Sequence, residues 1–276
     1  MRNLLFIGIV ISLLAGCSRS TIIFNIADTL LISQTDKYFD LDRSQKEELK
    51  KNLNKDLDGL RKEMFPRVAE SFRHLAPQTQ TDKLSDENLD ETYQQFFEYF
   101  KETSGRFKNT AIQLTLTLKP EQFSYFEKAV QKDIAKLEKK YKDPEEALES
   151  SQEKYERSLE LWFGDLSRDQ KNLLVEFLKE NPFPWKLQAE NKAYLLKQFL
   201  ARQQDKEKLR EFVENYHTDY ESLRLPEFKE ALDQHKSAFQ QFLSQRFWEK
   251  LTTEQKNFLQ KNLKERAEDL DKLASK

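Results

Sequence analysis

The hydrophobic positions of this 276-residue chain recur every three or four residues along almost its whole length. This spacing places large apolar side chains on one face of an α-helix and leaves the charged residues between them in water. The longest stripe keeps its phase through Leu49, Leu53, Leu57, Leu60, Met64, Val68, Phe72 and Leu75. Pro66 lies inside that stripe, and because the phase continues past it, we expect a kinked helix rather than a helix end.

Comparable stripes continue to the C-terminus and are separated at residues 76–82, at Asp143-Pro144, at residues 180–185 and at Leu225-Pro226. Residues 112–118 alternate as a strand would, but helical stripes surround them, so they are interpreted as a helix end or connector. No linker is long or rich in glycine and serine. The pattern predicts an all-α fold: an elongated bundle of long amphipathic helices without a sheet, with at most a weak subdivision near residue 143.

A short phrase occurs four times, each time as a leucine, a cap-like residue, two variable residues and a glutamine. The copies are Leu41-Asp42…Gln45, Leu118-Lys119…Gln122, Leu166-Ser167…Gln170 and Leu251-Thr252…Gln255. A short polar residue followed three positions later by glutamine forms a capping box, in which each side chain meets the other residue's backbone N–H. The phrase therefore predicts four helix starts, and the one at Lys119 is imperfect because lysine is a poor cap. Since glutamate can also complete a capping box, this interpretation predicts that Gln→Glu variants stay folded.

A functional role for the phrase is the alternative interpretation. The phrase resembles the LTxxQ motif of small periplasmic helical chaperones, and the fourth copy, with Leu251, Thr252 and Gln255, matches that motif literally. The resemblance implies that the phrase contacts a client protein. The spacing between copies varies, so they are not the units of a helical-repeat array.

The N-terminus has the features of a bacterial lipoprotein signal. Arg2 precedes an apolar run from Leu4 to Leu14, which is too short to span a membrane and is typical of a signal peptide. The following Leu14-Ala15-Gly16-Cys17 resembles a lipobox, so residues 1–16 are interpreted as a signal peptide and residues 17–276 as the mature helical domain. Cys17, the only cysteine in the chain, is the predicted site of a covalent lipid. Ser18, where an aspartate would favour retention at the inner membrane, predicts an outer-membrane lipoprotein that faces the periplasm of a Gram-negative bacterium.

The start of the mature chain resembles an uncharacterised family of all-helical lipoproteins from Gram-negative bacteria. The matching residues include the Tyr-Phe-Asp-Leu-x-x-x-Gln phrase; they are Asn25, Asp28, Tyr38, Phe39, Asp40, Leu41 and Gln45. The resemblance implies an all-helical lipoprotein and implies no activity. Within this segment, residues 22–32 are either the first core helix, which we favour, or a helix lying in the membrane interface.

The amino-acid composition narrows the possible classes of function further. The chain has 46 basic and 48 acidic residues, and this balance argues against a nucleic-acid partner, which requires a basic surface. Charged residues make up 34% of the chain and glycines number only five, as expected for long helices with charged outer faces. A line of lysines at Lys128, Lys132, Lys136 and Lys140 is interpreted as a solvated helix face, with contact to anionic lipid as the alternative.

The chain contains no recognisable catalytic constellation. Glu214 and His217 have the spacing of half a di-iron site, but neither of the other two histidines has a glutamate three residues before it. No glycine-rich phosphate loop and no nucleophile-elbow motif occurs. We therefore expect no catalytic residues, no metal and no cofactor beyond the lipid on Cys17. The expected function is a non-catalytic binding or scaffolding role in the cell envelope, with the membrane and a protein partner as contacts; a client-binding chaperone is the alternative and an envelope hydrolase the third.

Overall fold

A computed structural model describes residues 24–81 and 83–276. The predicted signal peptide, Cys17 and residues 22 and 23 lie outside these described residues. Within the described ranges the chain is all-α, with no strand, as the hydrophobic pattern predicts. None of the helices in these ranges is both long and apolar enough to cross a membrane.

Twelve α-helices follow one another along the described part of the chain. They are α1 (Ala27–Phe39), α2 (Arg43–Gly59), α3 (Phe65–Gln78), α4 (Asp86–Arg106), α5 (Lys108–Leu116), α6 (Pro120–Lys142), α7 (Pro144–Phe163), α8 (Arg168–Glu180), α9 (Trp185–Leu200), α10 (Lys206–Thr218), α11 (Pro226–Gln241) and α12 (Thr253–Ala274). Short 3₁₀ segments lie at Tyr220–Leu223 and Trp248–Lys250, and a π-helical segment at Phe242–Phe247 follows α11. Residues 112–118, which alternate like a strand in sequence, form the end of α5 and the turn that follows it.

Helices α2 and α3 form one continuous helical run, joined by a π-helical segment at Leu60–Met64. The segment ends immediately before α3, where Pro66 occupies the first turn, and the Phe65 N–H bonds to the carbonyl of Leu60. Proline cannot donate an intrahelical hydrogen bond and its ring crowds the preceding turn, so a local widening of the helix accommodates it. The helix therefore continues past Pro66, as the unbroken hydrophobic phase indicates.

The buried apolar side chains form two clusters. The first contains side chains of α1, α2, α5, α6, α9 and α10, including Leu31, Phe39, Leu53 and Phe199. The second contains side chains of α3, α7, α8 and α12 together with the segment after α11, including Phe72, Phe177 and Phe247. Each cluster contains helices from both halves of the sequence. The α2–α3 run begins in the first cluster and ends in the second.

The four glutamines of the repeated phrase meet in two pairs. Gln45 and Gln122 lie 77 residues apart in sequence and donate to each other, with Nε2–Oε1 distances of 3.0 and 2.8 Å. Gln170 and Gln255, 85 residues apart, do the same at 2.7 and 3.0 Å. All four side chains belong to buried residues. The phrase thus joins two helix starts side by side, and one such junction lies in each cluster.

Each junction has a local two-fold arrangement. The second amide hydrogen of each glutamine goes to the carbonyl just before the partner's leucine: Gln45 to Thr117, Gln122 to Asp40, Gln170 to Lys250 and Gln255 to Asp165. Each Oε1 also accepts the backbone N–H of its own cap residue, which is Asp42, Lys119, Ser167 or Thr252. Both donors and both acceptor positions of every amide are therefore used inside the protein.

The capping geometry of the four helix starts follows the chemistry of the cap residue. Asp42, Ser167 and Thr252 accept the backbone N–H of Gln45, Gln170 and Gln255 at 2.9, 3.3 and 3.2 Å. Lys119 cannot accept such a bond; its ammonium instead reaches the carboxylate of Asp42, 2.9 Å away, across the junction. The interpretation that Glu could replace Gln is overturned by these contacts, because a carboxylate cannot donate to the partner amide or to the carbonyl.

Ser167→Ala and Thr252→Ala are each expected to lower the free energy of unfolding by about 1 kcal/mol, because each removes the acceptor of an N-cap hydrogen bond. Chemical denaturation followed by circular dichroism measures the change. Ser237→Ala, at an exposed position within α11, serves as the control and should cost nothing, since alanine has the higher helix propensity. Equal stability of all three variants would contradict the capping role.

Candidate ligand-binding cavity

A cavity of about 390 Å³ lies among the helices of the first cluster. Side chains from α1, α2, α5, α6, α7, α9, α10 and α11 line it. Its volume falls in the range of sites that hold small molecules in proteins, roughly 300–1,000 Å³. It is therefore large enough for a ligand rather than a few water molecules.

Most of the wall is apolar. A row of phenylalanine rings crosses it: Phe39 stacks on Phe126 with centroids 4.7 Å apart, Phe126 meets Phe199 at 5.0 Å, and Phe199 meets Phe212 at 6.0 Å. Aliphatic side chains complete this part, namely Leu31, Leu49, Leu53, Leu114, Val130, Leu195, Leu196 and Val213. Because apolar lining offers little to bound water, this part of the cavity favours a hydrocarbon.

The polar part of the wall is organised by the N-terminal half of α9. Gln188, Asn191 and Lys192 line the cavity there, whereas the following turns of α9 contribute Leu195, Leu196 and Phe199. The Asn191 Oδ1 accepts the backbone N–H of Leu225 at 2.8 Å and so holds the segment before α11 against α9. At the start of α9, the Trp185 indole donates to the Ser151 hydroxyl at 3.0 Å and thereby holds α7 in place. Along α9 the cavity wall thus changes from polar to apolar.

Besides His217, three basic side chains line the cavity, and none of the lining residues, all of which lie in the described part of the chain, is acidic. The first is Lys192, whose Nζ lies 3.4 Å from the Asp133 carboxylate. Asp133 also accepts the hydroxyl of Tyr38 at 2.6 Å. Burial lowers the pKa of Lys192, and the charge of Asp133 opposes that effect.

The second basic side chain, Arg224, pairs with Glu221 at 2.8 Å. Its guanidinium also lies over the rings of Tyr220 and Phe228, at 4.8 and 5.7 Å from their centroids. Burial raises the pKa of Tyr220, so this phenol is neutral at physiological pH. Arg224 is therefore a charge whose position is set by one carboxylate and two rings.

The third basic side chain, Lys154, has a different environment. Its ammonium lies over three aromatic rings, at 4.8 Å from the centroid of Phe183 and 5.9 Å from those of Tyr155 and Trp185. Burial lowers its pKa, and the positive charge of Lys140 lowers it further. No carboxylate of the described residues forms an ion pair with Lys154. Cation–π contacts offset only part of the cost of burying an ammonium group.

Two of the seven residues of the family-like motif line the cavity. They are Tyr38 and Phe39, whereas Leu41 is buried in the first cluster without lining the cavity. Asp40 adopts a left-handed backbone conformation (φ 49°) that ends α1, and its carbonyl accepts from Gln122. The first glutamine junction therefore fixes the chain segment that carries Tyr38 and Phe39. Asn25 is exposed and Asp28 lies 3.8 Å from Lys50, so these two residues are not part of the cavity.

Two of the three histidines, His217 and His235, have structural partners. His217 Nδ1 lies 3.0 Å from the carbonyl of Ser104, and Glu214 pairs with Lys108 at 2.7 Å, so the two residues of the half di-iron spacing face different partners. His235 Nε2 lies 2.6 Å from the Tyr155 hydroxyl. Within residues 24–81 and 83–276, no group of three or more His, Cys, Asp and Glu side chains is placed to hold a metal ion.

Comparison with known proteins gives a family for the chain. Residues 37–204, well over half of the chain, match DUF6279, a family of unknown function. The chain belongs to the DUF6279 family. No curated protein and no solved structure matches it. The matched segment of this DUF6279 protein includes both residues of the first glutamine junction, the Tyr38-Phe39 wall and two of the three basic side chains of the cavity.

Of the three basic side chains of this DUF6279 protein, the hydrophobic pattern of the sequence gives a signal for Lys192 only. Lys192 lies three, four and seven residues before Leu195, Leu196 and Phe199, so it interrupts the apolar face of α9. A charge in such a position indicates either a buried ion pair or a ligand contact. Lys154 and Arg224 carry no comparable signal, because Lys154 lies at the edge of the hydrophobic stripe of α7 and Arg224 lies in a loop.

Proposed function

We propose that this chain is a non-catalytic binding protein of the cell envelope and that it binds a small hydrophobic or amphiphilic molecule in the cavity. The observation that carries the proposal is the cavity itself, whose size and largely apolar wall suit a hydrocarbon ligand. Well-packed protein interiors contain few voids of this size, so a space of this volume requires a reason. A bound ligand supplies one.

The envelope location rests on the N-terminal sequence. The apolar run before Cys17 and the lipobox-like Leu14-Ala15-Gly16-Cys17 support lipid attachment and an outer-membrane address facing the periplasm. A protein partner or client stays a prediction. The exposed large apolar side chains of the described residues are Ile26, Tyr125, Tyr194 and Phe258, and they lie at separate places along the chain.

Binding is tested with the predicted mature chain, residues 17–276, carrying Cys17→Ala and expressed without residues 1–16, so that neither an acyl chain nor the apolar signal segment competes for the cavity. We expect N-phenyl-1-naphthylamine, an uncharged hydrophobic dye, to bind at one saturable site with a rise in fluorescence. A fluorescence titration gives the affinity and the stoichiometry. Absence of saturable binding, or many weak sites of equal affinity, would contradict a binding role for the cavity.

Cys17→Ala is also expected to abolish lipid attachment and to leave the signal peptide uncleaved by the lipoprotein route. Detergent fractionation of cells and mass spectrometry of the N-terminus measure both effects, with the wild-type chain as the reference. A wild-type N-terminus that is unacylated, or that begins at another residue, would overturn the proposed anchor.

A further inference from the structure

The electrostatic balance of the cavity indicates what the bound molecule carries. Lys192 and Arg224 already have carboxylate partners, Asp133 at 3.4 Å and Glu221 at 2.8 Å. Lys154 has ring faces around it and a second cation, Lys140, as the charged group that acts on it. The polar end of the cavity therefore has an excess of positive charge that the described residues leave uncompensated. A half-buried cation without a charged partner is costly, and an anion placed beside it offsets part of that cost.

The change in the lining along α9 indicates the rest of the ligand molecule. Lys154, Gln188, Asn191 and Lys192 lie around the first turns of α9, and Phe199 lies near its end. From Gln188 to Phe199 the helix rises roughly 16 Å. Over this distance the lining changes from cationic and amide groups to leucine and phenylalanine side chains. Along α9 the site thus has charge at one end and hydrocarbon at the other.

We propose that the ligand is an amphiphile with one long hydrocarbon chain and an anionic headgroup, and that Lys154 is the residue that contacts the headgroup. This inference rests on the proposed binding function of the cavity. A carboxylate from a fatty acid and a phosphate from a lipid offer the same charge to Lys154. Hydrogen bonds from the amides of Gln188 and Asn191 suit either group.

The test compares three ligands that share one hydrocarbon chain: dodecanoate, dodecyl phosphate and the uncharged dodecanol. Each is titrated against the bound dye on the mature chain, residues 17–276 with Cys17→Ala, with and without Lys154→Met. We expect at least one anion to bind about tenfold or more tightly than dodecanol, because a charge-assisted hydrogen bond contributes that much. Lys154→Met should remove this advantage and leave the affinity for dodecanol unchanged.

Two controls keep the test decisive. Lys128→Met, on the exposed face of α6, should change none of the affinities. Thermal melting should give Lys154→Met the same or a higher melting temperature, since methionine has a similar shape and needs no charge partner. A loss of anion binding in a folded Lys154→Met variant therefore reports on the headgroup contact.

The possible results of this test distinguish a failure of the headgroup inference from a failure of the proposed binding function. Tighter binding of dodecanoate or of dodecyl phosphate that Lys154→Met removes supports the inference and tells which headgroup is preferred, whereas tighter anion binding that survives Lys154→Met would overturn the contact with Lys154. Equal affinities for the anions and dodecanol, unaffected by Lys154→Met, would overturn the headgroup contact while the cavity remained a binding site. Failure of the dye and of all three ligands to bind would overturn both.

Discussion

Gln170→Glu is expected to lower the free energy of unfolding by about 3 kcal/mol or more, which corresponds to a fall of roughly 10 °C in melting temperature for a chain of this size. Gln170 is 2% exposed, and its amide donates to the Gln255 side chain and to the Lys250 carbonyl. A carboxylate at this position would face two oxygen atoms with no hydrogen to offer them. Rotation of the Gln255 amide could supply one donor only by losing the acceptor that its own helix start needs.

The pH dependence of the free energy of unfolding of Gln170→Glu shows whether the variant is destabilised by the loss of a hydrogen-bond donor or by a change in side-chain shape. Burial next to oxygen atoms raises the pKa of the introduced carboxyl above its unfolded value. The destabilisation should therefore be small at acidic pH, where the group is protonated in both states, and should grow as the pH rises through the unfolded and then the folded pKa. Gln94→Glu, at an exposed position in α4, is the matched control and should be close to neutral. Similar stability of the two variants at neutral pH would contradict the paired-amide junction.

The two junctions should differ in their effect on ligand binding. Gln122 donates to the carbonyls of Phe39 and Asp40, and Phe39 lines the cavity. Gln122→Glu is therefore expected to weaken dye binding as well as stability. Gln170→Glu lies in the other cluster and should leave the affinity of the folded protein unchanged.

Leu196→Trp is expected to reduce dye and amphiphile binding at least tenfold, because the larger side chain occupies space that the ligand needs. Leu196 is buried and lines the cavity. Since the added atoms enter empty space, stability should hold, whereas in a packed core they would cost about 1–3 kcal/mol. Fluorescence titration and thermal melting measure the two effects.

Leu173→Trp serves as the matched control. Leu173 packs against the second cluster, away from the cavity, so its enlargement should leave dye binding unchanged. Val213→Phe gives a second filling variant from α10, on another wall of the cavity. Undiminished binding in both filling variants would place the binding site elsewhere on the protein.

The helical architecture could be predicted from sequence because its causes are local. Apolar spacing, Pro120, Pro144 and Pro226 at helix starts, and the cap residues Asp42, Ser167 and Thr252 act within a few residues of themselves. The same local chemistry accounts for each glutamine as one half of a capping box. It could not predict that Gln45 meets Gln122, because that contact depends on how helices 77 residues apart pack together.

The cavity could not be predicted from the sequence for the same reason. Phenylalanine and leucine stripes predict buried faces, but they do not indicate whether the facing helices fill the space between them. Lys154 illustrates the limit: in sequence it is one lysine among many on a charged helix, and only the packing of Phe183 and Trp185 against it makes it a half-buried cation. The proposed binding function therefore depends on tertiary contacts that no short motif describes.

The most direct test of the binding account is a crystal structure of the protein with a long-chain carboxylate that carries bromine at its methyl end. Anomalous scattering locates the bromine without reference to any assumed pose. We expect the bromine among Leu49, Leu53 and Leu114 and the carboxylate within hydrogen-bonding distance of Lys154. Bromine at the outer surface of the helices, with the cavity free of the ligand, would contradict the account.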